Sequence, residues 1–102
     1  MTKQFRQGDV LLVKVDALPD GAVPQKIDDR IVLAYGEVTG HAHAVPIDGA
    51  VLYKSNGEDL LKVHTATALV HEEHSPIALD PGVYKVVRQR EYTPQEIRRV
   101  SD

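Results

Sequence analysis

The sequence predicts an all-β protein: a small antiparallel β-barrel or sandwich with a short C-terminal helix. Three observations lead there. Short, β-branched, apolar runs recur along the 102 residues, beginning with Val10-Leu11-Leu12-Val13-Lys14-Val15. Turn signals of Gly, Pro, Asn and Asp separate these runs at intervals of roughly 8–12 residues. The helix signature is confined to the C-terminal end, where Thr93-Pro94-Gln95-Glu96 forms a capping box with Pro at the first helical position.

Residues 1–7 are polar and read as a flexible arm, closed by the turn signal Gly8-Asp9. The run Val10 to Val15 is apolar on both faces, which suits a strand buried on both sides. Pro19, Asp20-Gly21 and Pro24 rule out a regular element from Asp16 to Lys26, which reads as a loop. Arg30 to Tyr35 is the second strand. Glu37 to Val45 follows, bracketed by Gly36 and Gly40, which mark a bulge or bend. Asp48-Gly49, between A-V-P-I and A-V-L-Y-K, predicts a type I′ hairpin. Ala50 to Lys54 is the next strand, and Asn56-Gly57 the next turn. Leu60 to His64 and Thr65 to Val70 form one long strand or two with a bend. Ile77-Ala78-Leu79 is short and apolar. Asp80-Pro81-Gly82-Val83 fits a type II turn, and Val83 to Arg90 is the last strand. A short helix over 93–101 ends a chain read as one domain, 1–102.

Composition narrows the function classes. Apolar residues make up 42% and charged residues 26%, which is globular usage. A formal net charge of −3 disfavours nucleic-acid affinity driven by overall charge. The absence of cysteine excludes disulfides and thiolate metal sites. The N-terminus carries no apolar h-region, and no apolar run approaches the ~18 residues of a membrane helix. A cytoplasmic protein with no membrane contact is the expectation. Glycine-rich phosphate loops and the G-x-S-x-G nucleophile motif are absent.

Four of the five histidines come in two pairs: His41 and His43 in G-H-A-H, and His71 and His74 in V-H-E-E-H-S-P. On a strand, residues i and i+2 share a face, so His41 and His43 point together. His71 and His74 would point apart on a strand and together only across a turn or helix. Neutral imidazole is the commonest protein metal ligand, and catalytic sites keep a coordination position open for water or substrate. Two site arrangements follow. One uses all four histidines. The other uses His41, His43, one histidine of the second pair, and Glu72 or Glu73 as ligand or as general acid and base. A pair such as H-A-H also occurs on surfaces that ligate nothing, and HEEH would serve equally as a solvated turn.

The H-x-H pair after a glycine, with a later histidine, resembles the cupin family of small β-barrels. The matching residues are His41 and His43, after Gly36, with His71 or His74 as the later ligand. The family's glutamate shortly after H-x-H has no counterpart here, where Asp48 is the nearest acid. Its Pro-x-Gly precedes the last histidine, whereas Pro81-Gly82 follows it. The resemblance implies an architecture and not a reaction.

The C-terminal segment carries Arg88, Arg90, Tyr92, Arg98 and Arg99. Arginines beside an aromatic can hold phosphate and stack a base, which makes Arg88 and Arg90 a weak anion-binding candidate. A solvated face with ordinary ion pairs to Glu91 and Glu96 is the plainer alternative. The leading expectation is a metal-dependent enzyme (hydrolase, lyase or oxygenase) that acts on a small-molecule substrate. Its divalent ion is zinc, iron, manganese or nickel, and a homo-oligomer is left open. The competing expectations are a non-enzymatic accessory module that uses the arginine-bearing C-terminus, and a metal-independent histidine phosphodiesterase or ribonuclease.

Overall fold

The computed structural model describes residues 4–35 and 41–88. Among them the chain is all-β: β1 Gln4–Gln7, β2 Val10–Val15, β3 Val23–Pro24, β4 Ile31–Tyr35, β5 Ala42–Val45, β6 Ala50–Ser55, β7 Glu58–Val63, β8 Thr67–Leu69, β9 Ile77–Leu79 and β10 Gly82–Arg88. The helix expected over 93–101 lies outside the described residues, as do Gly36, Gly40 and Arg90. Among the described residues no helix is long and apolar enough to cross a membrane.

The strands form three antiparallel sheets. The largest has the order β1-β2-β10-β7-β6-β3; the other two are the pairs β4-β5 and β8-β9. The large sheet is open, with β1 and β3 as its edges, so of the two expected forms, barrel or sandwich, the closed barrel is not formed. One face of it is assembled by register. Phe5 stands opposite Leu12, Val86 opposite Leu12, Tyr84 opposite Leu61, and Leu52 opposite Leu61. Onto these side chains pack Ile31, Leu33 and Val45 from β4-β5 and Leu69 and Leu79 from β8-β9, making one core. Tyr84 is the largest fully buried side chain. Its hydroxyl donates to the Asp80 carbonyl at 2.7 Å, which lets a polar tip enter an apolar layer. Burial pushes its phenol up, aided by the Asp80 charge.

Several expectations change. Residues 1–7 are not a free arm throughout, because Gln4–Gln7 pairs with β2 through the two-residue turn Gly8-Asp9. Phe5 and Gln7 alternate inward there, which a polar composition conceals. The stretch 16–26 contains one short element, β3, which pairs with β6 at Val23 and Pro24. Pro24 is tolerated because this is an edge strand.

Asp48-Gly49 does not make a hairpin. β5 pairs with β4 and β6 with β7, so the chain changes sheets here. Pro46 has no N–H with which to extend a ladder. The Gly49 carbonyl instead accepts from the amides of His64 and Thr65. The Asn56-Gly57 turn is a hairpin, with φ of 52° and 81°, the left-handed pair that a type I′ turn requires. The chain between Leu60 and Val70 is two strands, β7 and β8, with the bend at residues 64–66.

Candidate metal centre

His71 and His74 lie on neither a strand nor a helix. β8 and β9 form a hairpin with Leu69 opposite Ile77, and residues 70–76 are its loop. Three devices fold this loop over β5. Ala44 and Val70 exchange both backbone hydrogen bonds at 2.9 Å. The Ala42 amide donates to Glu72 Oε1 at 2.8 Å. Gln7, at the end of β1, clamps the loop at its base: its Nε2 donates to the carbonyls of Leu69 and Ser75, both at 3.0 Å.

The histidine pairs therefore meet. Ring centroids are 4.3 Å apart for His43 and His71, 5.7 Å for His43 and His74, and 4.7 Å for His71 and His74. His41 and His71 are 5.5 Å apart. One nitrogen from each of His43, His71 and His74 lies within 4.8 Å of the other two. A second group with the same spacing is His41, His71 and a Glu72 oxygen. Tetrahedral zinc with bonds near 2.0–2.1 Å wants its ligand atoms about 3.3 Å apart, a closure of up to about 1.5 Å.

Gln7 does more than hold the loop. It is 3% exposed, as is His43. A carbonyl can only accept, so the two carbonyls fix Nε2 as the amide's inner end and turn Oε1 toward His43 Nδ1, 2.9 Å away. An acceptor oxygen needs a donor, so Nδ1 carries the proton and Nε2 is the lone-pair nitrogen. That is the tautomer a metal-ligating histidine needs, set by a neighbouring oxygen as in known metal sites. Gly8, the next residue, leaves the space in front of these rings open. A Cβ there would stand 2.8 Å from His74 Nε2 and 3.4 Å from His43 Nε2.

His71 is held differently. Its Nδ1 accepts the Glu73 amide at 3.0 Å. Ligation through that nitrogen requires the bond to be released, so His71 is the adjustable member of the set.

The two glutamates also differ. Glu72 Oε1 is taken by Ala42, and Oε2 stands 3.8 Å from Arg30 Nη1. The Ala42 amide, with the amide of Glu72 itself, holds its carboxyl below the usual glutamate range. A carboxylate so stabilised is a weak proton acceptor. Glu73 is 64% exposed at its side chain, with Oε2 3.6 Å from His41 Nδ1.

Arg88 is engaged inside the protein. Its Nε donates to the Leu33 carbonyl at 2.6 Å, and its Nη2 pairs with Asp59, which also takes Lys54 Nζ at 2.7 Å. Leu33 is the extra residue of a bulge between Val32 and Ala34. Arg88 thus satisfies a carbonyl displaced from the ladder.

The fold and site define a small all-β protein whose clustered imidazoles are gathered by a hairpin loop. Residues 6–89 match the family described as Domain of unknown function (DUF8820), and the chain belongs to that family. The matched span takes in Gln7 and all four clustered histidines. The chain matches no curated protein and no solved structure.

Proposed function

We propose that this protein binds one divalent metal ion through His43, His71 and His74, and that it is a metal-dependent enzyme activating water or a small substrate. The observation that carries the reading is the Gln7–His43 hydrogen bond. A buried amide with both ends committed sets the His43 tautomer, and His43 Nε2 lines the space at Gly8 with His74 Nε2, an arrangement that solvated surface histidines do not have. Three imidazoles leave a fourth position open, where a divalent ion lowers the pKa of water. Nitrogen donors suit zinc, iron or nickel better than manganese, which favours oxygen.

Glu73 is the carboxylate placed to take a proton, being exposed and beside His41. Glu72 serves better as a ligand or anchor, since its charge is already stabilised. With Arg88 bound to Asp59 and Leu33, the reading as an arginine-based anion module loses its described member.

Zinc titration of the purified chain is the test. One ion per chain is expected, with binding lost when His43 and His71 are both replaced by Ala. A correctly folded chain that takes up neither zinc, nickel nor iron overturns the reading.

A further inference from the structure

His71 belongs to two groups at once. On one side it stands with His43, which is buried, and His74, which is exposed. On the other it stands with His41 and Glu72. We propose that these are two overlapping positions for one ion: a tighter inner position and a weaker outer one, with His71 as the shared ligand. The proposal rests on the metal-binding reading and adds a second site to it.

The chemistry of the two positions differs in kind. The inner position is three imidazoles, two of them against Gly8, with His43 oriented by Gln7. The outer position joins two imidazoles to a carboxylate, and the Glu73 carboxylate lies 3.6 Å from His41 as a further oxygen donor. Glu72 is preset for ligation there, because its Ala42 bond at 2.8 Å fixes the carboxyl group.

Two ions at once would require His71 to ligate through both nitrogens, and its Nδ1 already accepts the Glu73 amide. One ion at a time follows. Release of that amide lets the ring turn from the outer partners to the inner ones. His71 is then the residue that passes the ion from the set with His41 and Glu72 to the set anchored by buried His43.

Zinc titration by calorimetry on the full chain separates the positions. His74→Ala still binds one zinc, at least about tenfold more weakly than wild type. Adding His41→Ala or Glu72→Gln to His74→Ala removes that remaining binding. Gln keeps an acceptor oxygen for the Ala42 amide, and among the described residues His41 meets exposed Glu73 and the edge of the His71 ring, outside the apolar core, so both backgrounds are expected to retain the fold. Circular dichroism checks this.

The proposal is overturned if His74→Ala binds no zinc, or if it binds equally well with and without His41 and Glu72. A wild-type chain without zinc affinity overturns the inner site as well, which distinguishes that failure from loss of the outer position alone.

Discussion

Gly8 sits at the tip of the β1-β2 turn with φ of +56°, its bare Cα facing His43 and His74. Ala at this position has two separable effects. The left-handed backbone costs roughly 1–2 kcal/mol with a Cβ present, and the methyl group occupies the space between the two Nε2 atoms. Gly57 supplies the control: its φ is +81° and a Cβ there meets nothing within 4 Å. Gly57→Ala is expected to lower the unfolding free energy by a similar amount and leave zinc affinity unchanged. Gly8→Ala is expected to lower both, which paired denaturation and titration curves will read.

The neighbouring Gln7 shows where the sequence was opaque. A glutamine in a polar N-terminal run carries no mark of chemistry. The available signal was the pattern Gln4-Phe5-Arg6-Gln7 before Gly8-Asp9, which alternates and feeds a turn. Read as a strand, it puts Phe5 and Gln7 on one face, and a polar residue on an inward face asks for a partner. His41 and His43 were legible because strand periodicity alone pairs them. The partners of His71 and His74 were not, because a loop has no period.

The seven-residue loop between β8 and β9 and the bulge in β4 are the elements that shape the site region. Both are places where the backbone leaves its ladder and a side chain compensates, Gln7 in one case and Arg88 in the other. Arg88→Ala strips Leu33 of its partner and leaves Asp59, which is 7% exposed, with Lys54 alone. The expected loss is about 1–3 kcal/mol in chemical denaturation, with zinc affinity little changed. A surface arginine serving only an external partner would show almost no stability effect.

The strand pattern of β10 was legible in the sequence, with Tyr84, Val86 and Arg88 on one face. That this arginine turns to an aspartate on β7 was not, because it depends on a pairing between residues 29 apart.

At the scale of the molecule, acid exposes the same pairing. Burial alone would raise the Asp59 carboxyl, but hydrogen bonds and charge from Lys54 and Arg88 outweigh it and bring it below the ordinary value of 3.8. The folded state then holds this proton less readily than the unfolded chain. Its stabilising contribution is complete above about pH 4 and is lost as pH falls through the depressed value. Thermal melts below pH 4 should show wild type losing stability faster than Asp59→Asn, with the two profiles parallel at neutral pH.

The all-β class was legible because hydrophobic alternation and turn residues are local signals. The split into one open sheet and two small ones was not, since strands 31–35 and 42–45 read like any others. The Pro46 to Gly49 crossing, which a local rule makes a hairpin, is a change of layer that only the assembled core explains.

The Gln7 clamp has a kinetic corollary. Its three hydrogen bonds span 36, 62 and 68 positions of sequence, so all three are long-range contacts. Long loops are entropically late to close, and contacts of high separation slow folding. His43 acquires its oriented proton only where β1, β5 and the loop after β8 have come together. An ion that needs this arrangement is expected to bind the folded chain in preference to the unfolded one, and so to add to its stability by mass action.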